Sequence, residues 1–417
     1  MGSVPRTLLL NHGPIELKNA GEIFLRTLAM HYPPGRLCRF AIMPPGTSWP
    51  ARDWLGFPVM TAPGVDQRLR RRFGEPIGKV ASFAVSEYAR TMHARGLVDQ
   101  AVAFARANGV EQVWAVVNIP QVIYVARRVA EELRVPLVIT VWDPPERLAD
   151  ALGLDDWTRS RLSREFASTV LAARRVSVAS EGMREEYRRR YGVDSLVLIQ
   201  GLDPSWVRPP AQDFVDPERF IIGYAGSLYA FNELHALIHA LSESGWRVCG
   251  RRVTLRVLGQ SMELTSSVGV DIEWLGWRPM LEVIERLTEA DVCYVPYWLD
   301  SAHDIAARLC FPNKIASYLA AGRPLFVHAP EDSSPAIFTR RYGVGRVCGS
   351  LESEQIMASL ESLASDHVAY ATMAQACTGA IVAELSLELF HRRFAQLLGA
   401  DAADLTPVGE ARVGDVI

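Results

Sequence analysis

Short runs of β-branched and apolar residues alternate along this chain with stretches whose apolar positions recur every three or four residues. The alternation predicts strands and helices in turn, the pattern of parallel βαβ units. In the first half the strand signal falls at residues 7–11, 39–43, 113–117, 137–141, 175–179 and 196–199. Helical spacing covers 21–31, 79–108 (long enough for two helices), 119–133, 159–173 and 182–191. The pattern restarts with strands at 220–224, 253–258, 272–275, 292–296 and 325–328, and helices over 232–244, 279–289, 351–365 and within 368–398. Between the halves, 201–217 holds four prolines and few periodic apolar positions, which reads as a connection between domains. The expected organisation is a first domain over 1–205, a linker over 206–217 and a second domain over 218–385. A C-terminal helix over 386–400 returns toward the first domain, and 401–417 is a tail. The fold class is α/β, two Rossmann-like doubly wound domains facing a cleft.

At 417 residues the chain exceeds one ordinary domain, and 49% hydrophobic with 22% charged residues describes a globular protein with ample core. A net charge of -3 argues against a nucleic-acid partner. No long apolar run stands out, so no membrane-spanning helix is expected, and Asn11, His12 and Glu16 break the first apolar run too early for a signal peptide. Arg68, Arg70, Arg71 and Arg72 form a small basic cluster, readable as a peripheral contact with anionic lipid or, more commonly, as solvated charge. The six cysteines are scattered without a CxxC pair and the histidines lack metal spacing. A reducing, cytoplasmic setting is therefore expected, with no metal and no cofactor.

The segment from Phe311 to Pro324 carries the sharpest chemistry. Pro312-Asn313-Lys314 leads into a helix that Gly322 ends and Pro324 prevents from continuing. A helix N-terminus beside Asn313 and Lys314 would hold an anion through free amides and one ammonium. The structural alternative is an amphipathic helix with a surface lysine. In doubly wound sheets ligands sit beyond the carboxyl ends of strands, which directs attention to residues just after each strand. Gly226-Ser227 would let backbone approach a phosphate and adds a hydroxyl donor, or is a plain βα turn. Arg278, beyond Gly276, could face an anion or solvent. Asp304 and Arg308 stand on or beside the loop that follows 292–296. His12 and Asp143, each at a strand end, are candidate catalytic or acceptor-positioning groups. Asp143 and Ser180 also suit helix N-capping. There is no nucleophile elbow, no GxxxxGK[ST] loop and no DxD at a strand end.

These residues resemble a known family. Ile222-Gly223-Tyr224-Ala225-Gly226-Ser227-Leu228-Tyr229 resembles the strand and glycine loop that open the donor domain of GT-B glycosyltransferases. Leu275-Gly276-Trp277 and the run from Ala290 to Tyr297 resemble the segments that follow. The segment from Phe311 to Pro324 resembles the signature of the family-4-like group (glycosyl transferases group 1). The match covers most of the second half; the first resembles the family in layout and in places such as Trp142-Asp143 and 178–183. The resemblance implies a GT-B fold and metal-independent transfer of a sugar from a UDP, GDP or dTDP donor. The acceptor would be a hydroxyl on a polysaccharide, a lipid-linked glycan or a small molecule. It further implies that Gly226, Ser227, Arg278, Asn313 and Lys314 meet the diphosphate, while Asp143 or His12 positions the acceptor. Two glutamates that many members carry eight residues apart are replaced here by Leu309 and Ser317, and Asn232 stands where a donor-site lysine is common. A sugar-nucleotide epimerase and an inactive partner subunit on the same fold therefore remain alternatives, and the stereochemistry of transfer stays open.

Overall fold

The structure is a computed structural model that describes residues 4–15, 20–47, 56–67, 77–259 and 271–405. The basic cluster at Arg68 to Arg72 lies outside them. The chain divides into two compact units, Met1–Leu198 with His391–Val416, and Ile199–Phe390.

The first unit is built on a parallel sheet of order β3-β2-β1-β4-β5-β6-β7. Its strands are β1 (Thr7–His12), β2 (Leu37–Met43), β3 (Val59–Pro63), β4 (Gln112–Val116), β5 (Leu137–Val141), β6 (Arg175–Val178) and β7 (Leu196–Val197). Helices on both faces explain why β1, β2, β4 and β5 read as nearly continuous apolar runs rather than alternating ones. The sequence pattern missed β3, an edge strand ending in Pro63, where a missing N–H is tolerated. It also missed the helix Pro145–Leu152, whose N-terminal prolines look like a break but fit the first turn.

The second unit repeats the plan with order β11-β10-β8-β12-β13-β14. Here β8 is Arg219–Ala225, β10 is Arg251–Leu258, β11 is Ile272–Trp274, β12 is Val292–Pro296, β13 is Leu325–His328 and β14 is Gly345–Cys348. The short β9 (Arg247–Val248) pairs antiparallel with β10. β14 escaped the sequence pattern because it opens on Gly345, where a β-carbon would stand 2.0 Å from Leu325 O. In both sheets the chain order reverses beside the first strand, at β1/β4 and at β8/β12. Those are the topological switch points where such folds bind ligands.

The proline-rich segment expected as a linker lies within the second unit. Arg208 N donates to Ala320 O at 2.7 Å and Ala211 N to Gly322 O at 3.0 Å. Gly322 is needed for more than ending a helix, since a β-carbon there would sit 2.7 Å from Pro209 O. In addition, one helical stretch, His367–Leu385, is long and apolar enough by composition to cross a membrane. Its alanines, valines, isoleucine and cysteine raise its hydropathy, and it is packed into the second unit through buried Tyr370, Met373, Ala374 and Cys377. Tyr370 Oη donates to Asp291 O at 2.8 Å. The Asp291 carboxylate accepts from Val215 N at 2.8 Å and Ile221 N at 2.6 Å, tying the proline-rich segment to the start of β8.

The helix Leu387–Leu398 belongs to the first unit from His391 onward. Phe394 packs on Tyr32 and Trp114, and the rings of His31 and His391 lie 3.5 Å apart between centroids. His31 Nδ1 is 2.6 Å from Thr27 O, which assigns the proton to that nitrogen. Burial lowers both pKa values, that of His391 to about 3 with His31 adding to the shift. Both folded values lie below the unfolded value near 6.5, so the stability of this contact is complete above about pH 6.5 and is lost as pH falls toward 3. Moving from pH 7.5 to 5.0 is expected to cost about 1 kcal/mol after allowance for residual solvent exposure. Thermal unfolding at the two pH values, with His391→Gln showing a flatter dependence, checks this.

Candidate functional site

The carboxyl edge of the second sheet is lined with bare backbone. Gly226 follows β8 at φ 97°, Gly259 follows β10 at φ 149° and Gly276 lies beyond β11 at φ 69°. Gly226 N donates to Leu258 O at 2.8 Å and Gly259 N to Gly276 O at 2.9 Å. A β-carbon on Gly259 would stand 2.5 Å from Gly226 O, so these turns can stack only without side chains.

Lys314 reaches over this edge from the helix Lys314–Ala320. Its Cε lies 3.9 Å from where a β-carbon on Gly226 would be. Its Nζ donates to Tyr224 Oη at 2.7 Å and stands 4.0 Å and 4.7 Å from the ring centroids of Tyr224 and Tyr229. Among the described residues no carboxylate pairs with it. Burial of the amine lowers its pKa to about 7, although part of the side chain still meets solvent. Tyr224 Oη donates to Ser227 O at 2.5 Å, so one hydroxyl links the lysine amine to the glycine turn. Tyr318, a turn along the same helix, accepts from Ala225 N at 2.7 Å and donates to Ala225 O at 3.2 Å. Burial pushes both phenols well above their usual range, so they remain neutral donors and acceptors.

The remaining expected residues are placed as follows. Gly226 and Ser227 are exposed at the turn under Lys314. Asn313 is exposed and makes no side-chain cap bond, and the helix behind it has only seven residues. That leaves the Lys314 side chain, rather than the helix N-terminus, as the polar group presented over this turn. Arg278 is ion-paired with Glu282 at 3.0 Å and donates to Trp277 O at 2.9 Å, beside an exposed Trp277. The loop after β12 is held by Asp300, which accepts from His303 N at 3.1 Å, and by Trp298 stacked on His303. Asp304 pairs with Arg308 at 2.9 Å. Leu309 and Ser317, at the two glutamate positions, are buried, and Ser317 Oγ donates to Lys314 O at 2.9 Å.

Glu233 escaped sequence reasoning. It is buried at 1% exposure, with Oε1 accepting from Leu299 N at 2.7 Å and Oε2 without a partner among the described residues. Burial raises its pKa. Its sequence signal was only an acid in the first turn of the helix Phe231–Glu243, right after the glycine loop.

In the first unit, His12 closes β1 and Asp143 follows β5, on one carboxyl edge with β4 between them. The turn after His12 is clamped by two buried polar residues. Asn11 Nδ2 donates to His12 O at 3.1 Å and to Gly13 O at 3.2 Å. Arg39 Nε donates to Asn11 Oδ1 at 2.8 Å and its Nη2 to Gly13 O. Asp143 is not an N-cap, since Pro144 takes that position. Ser180 is one, accepting from Met183 N at 3.0 Å. Gln121 grips Val65 through both its amide groups, at 2.7 Å and 3.0 Å, steadying the loop after β3. Among the described residues no three His, Cys, Asp or Glu side chains group as metal ligands.

No protein-family model matches the chain, and no curated protein matches it in sequence. Solved structures do match. The HepE protein of Anabaena, crystallised with UDP and glucose, superimposes with TM-score 0.65 at 15% identity over 94% of this chain and 99% of that one. Sucrose-phosphate synthase from Thermosynechococcus elongatus gives TM-score 0.68 at 13% identity over 94% and 98%. The lipopolysaccharide outer core galactosyltransferase WaaB gives 0.61 at 11% over 94% and 99%. The protein has the GT-B fold. Its two units are the Rossmann-like domains of that fold, and the Lys314 turn lies in the second.

Because Tyr318 Oη serves both backbone groups of Ala225, Tyr318→Phe should leave a buried N–H unpaired. The expected cost is about 1–3 kcal/mol, read from urea unfolding midpoints with an unchanged slope.

Proposed function

We propose that the protein is a glycosyltransferase that moves a sugar from a nucleoside-diphosphate donor to an acceptor hydroxyl. The observation that carries this is the Lys314 ammonium, held without a carboxylate partner among the described residues over the Gly226-Ser227 turn at a topological switch point. A lysine so placed lacks an anion, and a diphosphate supplies one. The GT-B fold, and the UDP and UDP-glucose held by HepE, support a donor of that class, with UDP the first candidate.

On this reading the second domain holds the donor. Lys314 and the Gly226 and Ser227 amides stabilise the charge that grows on the leaving diphosphate, with no metal required. Asn313, Trp277 and Arg278 stand at the rim. Glu233 and the ordered loop after β12 are near enough in the fold to shape the sugar pocket. The first domain takes the acceptor, and His12 or Asp143 orients its hydroxyl. The acceptor class, a cytoplasmic location and any peripheral membrane contact belong to the same proposal. A second reading is favoured by one observation: Leu309 and Ser317 are built into the core where relatives carry glutamates, which suits a partner subunit without activity.

Thermal shift against UDP, GDP, dTDP, ADP and CMP separates these readings. One diphosphate should raise the midpoint of the wild type and not of Lys314→Ala, because only ligand bound to the native state stabilises it. No shift with any nucleotide would leave the inactive subunit standing. In turnover, Lys314→Ala should lower kcat/KM by about 10²–10³ while EDTA leaves the rate unchanged. Donor consumption that depends on acceptor would separate transfer from epimerisation.

A further inference from the structure

Among the described residues the Lys314 amine is flanked by neutral groups. Its Nζ meets Tyr224 on β8 and Tyr229 in the turn that follows, Tyr318 lies one turn along its own helix, and Tyr294 on β12 packs behind Tyr224 at 6.3 Å between rings. Among the described residues, the charged side chains on neighbouring elements have partners of their own. Glu233 accepts from Leu299 N through one oxygen, Asp300 holds His303, and Asp304 pairs with Arg308. On the helix Met280–Leu287, Glu282 pairs with Arg278, Glu285 with Arg208 and Arg286 with Glu289. His328 on β13 lies between Tyr294 Oη and Ser350 O. Two ring faces and one hydroxyl attract a cation less than a carboxylate does, so the empty site disfavours the charged amine. A diphosphate reverses that balance.

We infer that a nucleoside diphosphate binds together with one proton, which passes from the buffer acid to the Lys314 amine. This rests on the donor-binding reading above and adds the regulation of that site by pH. Tyr224 is the positioning residue: its hydroxyl accepts from the amine in either state and keeps it over the Gly226 turn. The empty site thereby avoids an uncompensated charge, and the donor creates its own counter-charge on arrival.

The test is calorimetric titration of UDP into the full-length protein at pH 8, in Hepes and in Tris, non-phosphate buffers of different ionisation enthalpy. With the free amine titrating at about 7, uptake of about 0.9 proton per UDP is expected. The dissociation constant should rise about tenfold per pH unit between pH 8 and 9.5. Lys314→Met, checked for folding by its melting temperature, should bind more weakly, with no uptake and no slope. Equal heats in the two buffers for the wild type, or uptake persisting in Lys314→Met, would overturn the inference while leaving the donor-binding reading intact. Absence of any binding to UDP, GDP or dTDP would overturn both.

Discussion

A buried amine that meets a phenol and two ring faces, and no carboxylate among the described residues, is the constraint around which the edge of the second sheet is arranged. Lys314 approaches the Gly226 turn because Gly226 carries no side chain, and the turn keeps its shape because Gly259 lets a second backbone pass against it. Burial without a counter-charge disfavours the charged amine, and neutral groups hold it in place: its Nζ donates to Tyr224 Oη and two aromatic faces flank it.

The same economy recurs wherever a strand end must be held open. Backbone groups beyond the last ladder bond have no strand partner, and burying them unpaired costs free energy. Long polar side chains from neighbouring elements take that role: Arg39 and Asn11 on the turn after β1, Gln121 on the loop after β3, Tyr318 on Ala225, and Asp291 on Val215 and Ile221. Each is buried, and each pins backbone at or beside the end of a strand. Rigid support of this kind is what allows exposed turns such as Gly226-Ser227 to present backbone in one geometry.

The substitutions at Leu309 and Ser317 fit this picture. Both side chains are buried, so the helices that carry them contribute packing rather than carboxylates. The acid nearest in the sequence to the glycine loop is Glu233, and its environment keeps one oxygen bonded to Leu299 N and raises its pKa.

The order of most strands and helices and the division into two α/β units were legible in the sequence, because period and turn residues are local properties of the chain. Elements without a local signal were lost: β3 at a sheet edge, β14 opening on a glycine, and a helix behind Pro144. Only the tertiary structure decided what each polar side chain faces. Arg278 meets Glu282, Ser180 caps a helix, the helix behind Asn313 is too short to act as an anion site, and Glu233 is buried behind the loop. Partners such as Tyr318 and Ala225 are far apart along the chain and meet through the crossover of parallel strands. Periodicity records which face of an element is buried, while hydrogen-bond geometry depends on distances between elements that no local pattern encodes.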